Sequence, residues 1–98
     1  MASKQKSYLL FLTDSNKKQS KLLLQHRTRP QLLAIRECIL NIITGRIKIS
    51  EGQLTWLKKN RAFLRKVAYK GVTTNELIKK NKIITTALNL ARESISNL

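Results

Sequence analysis

Acidic residues are scarce in this chain. Five Asp and Glu stand against twenty Lys and Arg, a net charge of +15 over 98 residues. That shortage excludes a surface of evenly paired charges, because most cations have no intramolecular partner to find. It also leaves no close carboxylate pair for general acid–base work, since Asp14, Glu37, Glu51, Glu76 and Glu93 are scattered along the chain. Histidine occurs once, as His26 beside Arg27 and Arg29, a surface setting rather than that of a general base. The single cysteine, Cys38, excludes a disulfide framework and a thiolate metal cluster. It lies in an apolar helical stretch, where a free thiol packs as a small hydrophobe, and it suits a reducing compartment. A glycine loop that cradles phosphates and a set of metal ligands are both missing. The expectation is a protein that is not an enzyme and uses no cofactor.

One proline and three glycines leave the backbone rarely interrupted, which favours long helices over short strands. Aromatic residues are few, and Trp56 and Phe63 fall at core spacing, which argues against single-strand base stacking. No apolar run is long enough to span a membrane. The run Tyr8–Leu12 after Lys4 and Lys6 resembles a signal peptide only faintly, being too short and followed by Asp14, Lys17 and Lys18.

What the chain does have is enough apolar character, 42% of residues, for one globular domain of limited stability. The patterning predicts an all-α, compact bundle of three to four helices. Residues 1–14 form a basic N-terminal arm or a short helix, and residues 15–98 form a single helical domain. Thr13-Asp14-Ser15 offers caps for a helix over roughly 15–26, anchored by Leu22, Leu23 and Leu24. Pro30 suits the first turn of a helix that runs to about Thr44 and stops at Gly45 in a left-handed conformation. This helix is apolar nearly all round, with only Glu37, Asn41 and Thr44 as a polar stripe, and reads as the central one. Residues 45–49 read as an ordered loop whose isoleucines pack inward. Ser50 and Gln53 mark a capping box for a helix over about 51–70 that ends at Gly71. Thr73 and Glu76 mark another for a helix over about 74–97.

The 51–70 helix carries the main functional signal. At 100° per residue, Leu54, Trp56, Leu57, Phe63, Leu64, Val67 and Ala68 occupy one half. Lys58, Lys59, Arg65, Lys66 and Lys70 occupy the other, with Arg61 at the apolar edge. Such a run follows a phosphate backbone well. The alternative is a solvated face, but those usually mix signs, and here only Glu51 offsets the cations. A second cluster comprises Lys4, Lys6, Lys17, Lys18, Lys21, Arg27 and Arg29, and Arg46 and Lys48 extend either patch. The segment joining the second and third helices is longer than a helix-turn-helix turn. The basic face is mostly lysine, whereas base readout favours Arg, Asn and Gln. Sequence-independent backbone binding fits better.

In the last helix Leu77, Asn81, Ile84, Leu88, Ala91, Ile95 and Leu98 fall on a heptad seam, with Asn81 at a core position. Two readings stay open: packing on the central helix, or homodimerisation.

The stretches LLLQHRTRPQLLAIRECILNIITGRIKIS and QLTWLKKNRAFLRKVA, residues 22–50 and 53–68, resemble the small basic proteins encoded near the capsid genes of Maverick/Polinton elements and their adintovirus relatives. The shared pattern is an Arg-Glu-Cys-x-x-Asn helix, a glycine, an Ile-rich loop and a basic Leu-Lys-Lys helix, over about half the chain. The resemblance implies a virion-associated protein, similar in role to the basic core proteins with which adenoviruses package DNA, in the virion or host nucleus. It departs from the family at the C-terminus, where ARESISNL stands in place of a glycine-rich apolar tail, and no tail-borne docking is carried over. Glu37 and Asn41 match the family pattern and either cap the neighbouring loop or contact a partner.

The leading expectation is sequence-independent binding and condensation of nucleic acid, double-stranded DNA first. The alternative is a protein-interaction module docking on an acidic capsid or host protein, and an RNA-binding role is the third.

Overall fold

Every regular element among the described residues is helical. A computed structural model describes residues 2–98, and no strand occurs among the described residues. A 3-10 turn, Ala2–Gln5, leads into α1 (Lys6–Asp14), α2 (Lys17–Gln25) and α3 (Arg29–Ile43). The basic region follows as α4 (Glu51–Lys59), α5 (Arg61–Arg65) and a π-helical turn, Lys66–Lys70. The chain closes with α6 (Thr74–Lys79), α7 (Asn81–Leu90) and α8 (Arg92–Ser96). The all-α reading therefore holds, with more and shorter helices than the expected three to four.

Four helices begin on the same device. Asn16, Thr28, Ser50 and Thr73 each accept a hydrogen bond from the backbone N–H three residues on, and the Gln or Glu side chain there accepts from the cap's own N–H. Asn16 corrects the expected start of α2. Because α1 runs to Asp14, the Thr13 and Ser15 hydroxyls donate back to the carbonyls of Leu9 (2.7 Å) and Leu12 (2.6 Å) instead of capping α2. Gly45 ends α3 as expected, at φ 77°. The Arg46 N–H donates to the Asn41 carbonyl (3.0 Å) and the Gly45 N–H to that of Ile42 (3.3 Å), a Schellman pair that only a left-handed residue closes without strain. The loop beyond it packs Ile47 and Ile49 against the core.

The two long C-terminal helices are interrupted. At Asn60 the side-chain Nδ2 donates to the Trp56 carbonyl (3.0 Å), and the Asn60 N–H is shared between the carbonyls of Trp56 and Leu57. Asn competes for the helix's own carbonyls and interrupts the ladder there. At Lys80 and Ala91 the ladder slips for one residue, with Ile83 N–H donating to the Lys80 carbonyl and Ala91 N–H to that of Leu88, both at 3.0 Å.

Every helix contributes to one core. Leu9, Leu12, Leu24, Ile35, Ile39, Leu64, Leu77, Ile84 and Leu88 are fully buried, and α3 runs through the middle. α1 lies against α3, α7 and α8, while α2 lies against α6 and α7. The radius of gyration, 12.1 Å, matches the roughly 13 Å of a single 100-residue domain. Lys6–Asp14 is thus a core helix rather than an arm. Of the three α2 leucines only Leu24 is fully buried; Leu22 is half exposed.

Most of the heptad seam packs inside the chain, the first of the two readings; Leu98 at its end stays exposed. Leu77, Asn81, Ile84, Leu88, Ala91 and Ile95 are all buried within the single chain. Asn81 bonds within the chain: its Nδ2 donates to the Ser20 hydroxyl and the Lys17 carbonyl, tying α7 to the start of α2. α1, α2 and α3 all pack against α7, the middle of this seam.

Replacing Leu12 by Ala will lower stability by about 2–5 kcal/mol, read as a fall in the urea midpoint by circular dichroism; an unchanged midpoint would place α1 outside the core. Burial, then the nearby Glu37 carboxylate, pushes the Cys38 thiol up to about 11. Alkylation by iodoacetamide at pH 8 will therefore run at least about a hundredfold slower in the native protein than in urea. Equal rates in the two conditions would mean that Cys38 is open to solvent.

Candidate nucleic-acid interface

The break at Asn60 divides the basic run into two groups. Lys58 and Lys59 lie in the last turn of α4, where the helix dipole favours cations. Arg61, Arg65, Lys66 and Lys70 follow on α5 and the π turn. Lys58, Lys59, Arg65, Lys66 and Lys70 are exposed, as the helical spacing predicts, and Arg61, placed at the apolar edge, is exposed too. The inner half of this segment is held by Leu57, Phe63, Leu64, Val67 and Ala68. Arg36 of α3 pins it further, its Nη2 donating to the Ala68 carbonyl at 3.2 Å. The cations therefore stand on a braced element.

Their charge is largely uncompensated. Lys66 pairs with Glu76 at 2.5 Å, and this lysine, with the Thr73 N–H, holds the Glu76 carboxyl below its usual range. Lys58, Lys59, Arg61, Arg65 and Lys70 have no carboxylate partner among the described residues. The remaining ion pair joins Arg92 to Asp14, far from this segment in sequence, and the Arg92 hydrogen bonds lower the Asp14 pKa.

Lys58 and Arg61 line a groove of about 190 Å³ whose other walls are Ile42, Ile43, Gly45, Ile47, Ile49, Leu54 and Leu57. Arg65, Lys66 and Lys70 line a shallow cleft with Ala62 and Tyr69. Arg46 and Lys48 are exposed on the loop that contributes to the groove wall.

The N-terminal cluster is divided differently. Lys4, Lys17, Lys18 and Arg29 are exposed, and Lys6 and Lys21 are half-buried. Arg27 is not a free cation. Its Nη1 donates to the Leu24 carbonyl (3.1 Å) and the Thr74 hydroxyl (3.0 Å), clipping the end of α2 to the start of α6. Both bonds come from Nη1, and Nε is buried without a partner, so this half-buried arginine is partly committed to the fold. The nearby Tyr8 hydroxyl donates to the Leu23 carbonyl at 2.9 Å, and burial, partly offset by the Arg27 charge, raises that phenol to about 12.

Sequence reasoning missed two features. Lys79 and Lys82 share a depression with Lys17, Ser20 and Asn81, so the last helices add cations to the N-terminal cluster. Only the packing of α2 on α6 and α7 brings them together. Tyr69 was also passed over. Phe63 is buried and Trp56 half-buried in line with their spacing, but Tyr69 is 56% exposed among the cations. The signal was available: Ala62, Arg65, Lys66 and Tyr69 follow an i, i+3, i+4, i+7 spacing along the outer face.

No protein-family model, no curated protein and no solved structure matches this chain.

The division between structural and free cations is testable. Arg27→Gln will lower stability by about 1–3 kcal/mol through the lost internal bonds, while Lys18→Gln will leave it within about 0.5 kcal/mol. Equal urea midpoints for the two variants would return Arg27 to the free cations.

Proposed function

We propose that this protein binds nucleic acid without reading its sequence, through phosphate contacts made by Lys58, Lys59, Arg61, Arg65 and Lys70. The observation that carries the reading is the exposure of these five cations on a braced element with no carboxylate partner among the described residues. Each is free to replace a condensed counterion on a polyanion, and the release of those counterions drives association. Lys17, Lys18, Lys79 and Lys82 supply a second contact region, which lets one molecule touch two segments of a strand and so condense it.

Duplex DNA is the favoured ligand, and packaging of DNA in a virus-like particle, in the virion or host nucleus, is the favoured setting. The sequence resemblance to the Maverick/Polinton and adintovirus proteins supports that setting.

A second reading is supported by the groove beside Lys58 and Arg61. Its walls are otherwise apolar, the chemistry that suits an acidic segment of a capsid or host protein with an apolar anchor.

Salt separates the two. On random-sequence duplex DNA the log–log slope of affinity against salt will be about −4 to −5 if five phosphates are neutralised. Reversing Lys58, Lys59, Arg65 and Lys70 to Glu will abolish binding while the helical circular dichroism persists. Absence of binding at low salt would sink the nucleic-acid reading.

A further inference from the structure

Tyr69 has no structural work to do in this fold. The other tyrosine, Tyr8, is half-buried and its hydroxyl donates to the Leu23 carbonyl. The Tyr69 ring is 56% exposed, and its hydroxyl makes no hydrogen bond among the described residues. Large aromatic side chains usually bury their faces, and their polar ends usually find a partner. A ring left open on both counts is available to a ligand.

Its surroundings define the ligand. Tyr69 shares a cleft with Ala62, Arg65, Lys66 and Lys70. Ala62, one helical turn before Arg65 on the same stripe, contributes only a methyl group to the lining. Lys66 is turned to Glu76 at the margin. Arg65 and Lys70 have no carboxylate partner among the described residues. The cleft thus offers a planar apolar face with an unneutralised cation before it and another after it in the chain.

The platform is also held in place. Val67 and Ala68, just before Tyr69, are buried, and Arg36 holds the Ala68 carbonyl. The Gly71 N–H closes the π turn onto the Lys66 carbonyl at 2.8 Å. This wider turn carries Tyr69 and Lys70 outward together while the core side stays packed, and π-helical turns are frequent at functional sites.

We propose that Tyr69 is a base-stacking platform, and that this cleft takes an unpaired nucleobase with its flanking phosphates on Arg65 and Lys70. The proposal rests on the nucleic-acid reading above and narrows it. Stacking is indifferent to base identity because every base has a π-face, so it adds affinity for single strands without adding sequence preference. In a duplex the base faces are covered by their neighbours, and only the phosphates remain for the cations.

The test measures binding of an oligothymidylate and of a duplex of equal length by fluorescence anisotropy at one salt concentration. The proteins compared are the full chain and its variants Tyr69→Ala and Tyr69→Phe. Because Tyr69 is exposed, both variants should keep the parent urea midpoint. Tyr69→Ala will weaken oligothymidylate binding by about 5- to 100-fold, the range that base–aromatic stacking supports. Tyr69→Phe will keep it within about twofold, since the ring face rather than the hydroxyl does the stacking. Duplex affinity will be unchanged in both. An unchanged oligothymidylate affinity in Tyr69→Ala, or an equal loss on the duplex, overturns the platform and leaves phosphate binding standing. No binding of either ligand by the parent chain overturns both.

Discussion

The repulsion among twenty cations, relieved by only five carboxylates, is the constraint to which the rest of this structure answers. A chain of this size has little stability to lose, and a net charge far from zero works against compaction. The fold answers with aliphatic burial drawn from every helix into one core. No charged side chain is buried among the described residues; the buried polar residues are Ser20 and Asn81, and they bond to each other. The charge is therefore held outside, where water and salt screen it.

Some of that charge is put to structural use. Arg27 and Arg36 each reach inward to a backbone carbonyl, one clipping α2 to α6 and the other bracing the π turn against α3. In a chain short of carboxylates, carbonyl oxygens and a threonine hydroxyl serve as the acceptors that acidic side chains would otherwise provide. The cations that remain unsatisfied are then concentrated where the helices carry them outward. A polyanion bound there relieves the same repulsion that the core must otherwise outweigh, so the proposed function and the strain on the fold have one origin. Mostly lysine, with its flexible stem and point charge, this surface suits a phosphate backbone better than the edges of bases.

Much of the local structure was legible because it depends on neighbours in the chain. Ser50 with Gln53, Thr73 with Glu76, and Gly45 at φ 77° each act within one turn of backbone, and the structure shows each where the pattern put it. The exposure of the cations between Lys58 and Lys70 was legible too, since alternation at helical spacing separates an apolar half from a charged half whether or not the helix is broken at Asn60. The start of α2 was misread for a local reason as well: Thr13 and Ser15 are caps by type, but α1 extends to Asp14 and leaves them at a C-terminus.

Distance along the chain marks where that legibility ended. A seam such as Leu77, Ile84, Leu88 and Ile95 is the same pattern whether it meets a second copy or its own chain, and only the arrangement of α1, α2 and α3 around α7 shows these residues packed within the chain. Arg27 looked like any other arginine of a basic cluster until Thr74, 47 residues away, proved to be its acceptor. Lys17 and Lys82 became neighbours by the same route. By itself the sequence determined that the protein is helical, where several of its helices start and stop, and that its charge lies outside. The tertiary structure alone decided which cations are spent on the fold and which are free, because hydrogen bonds between distant elements exist only once the core has brought those elements together.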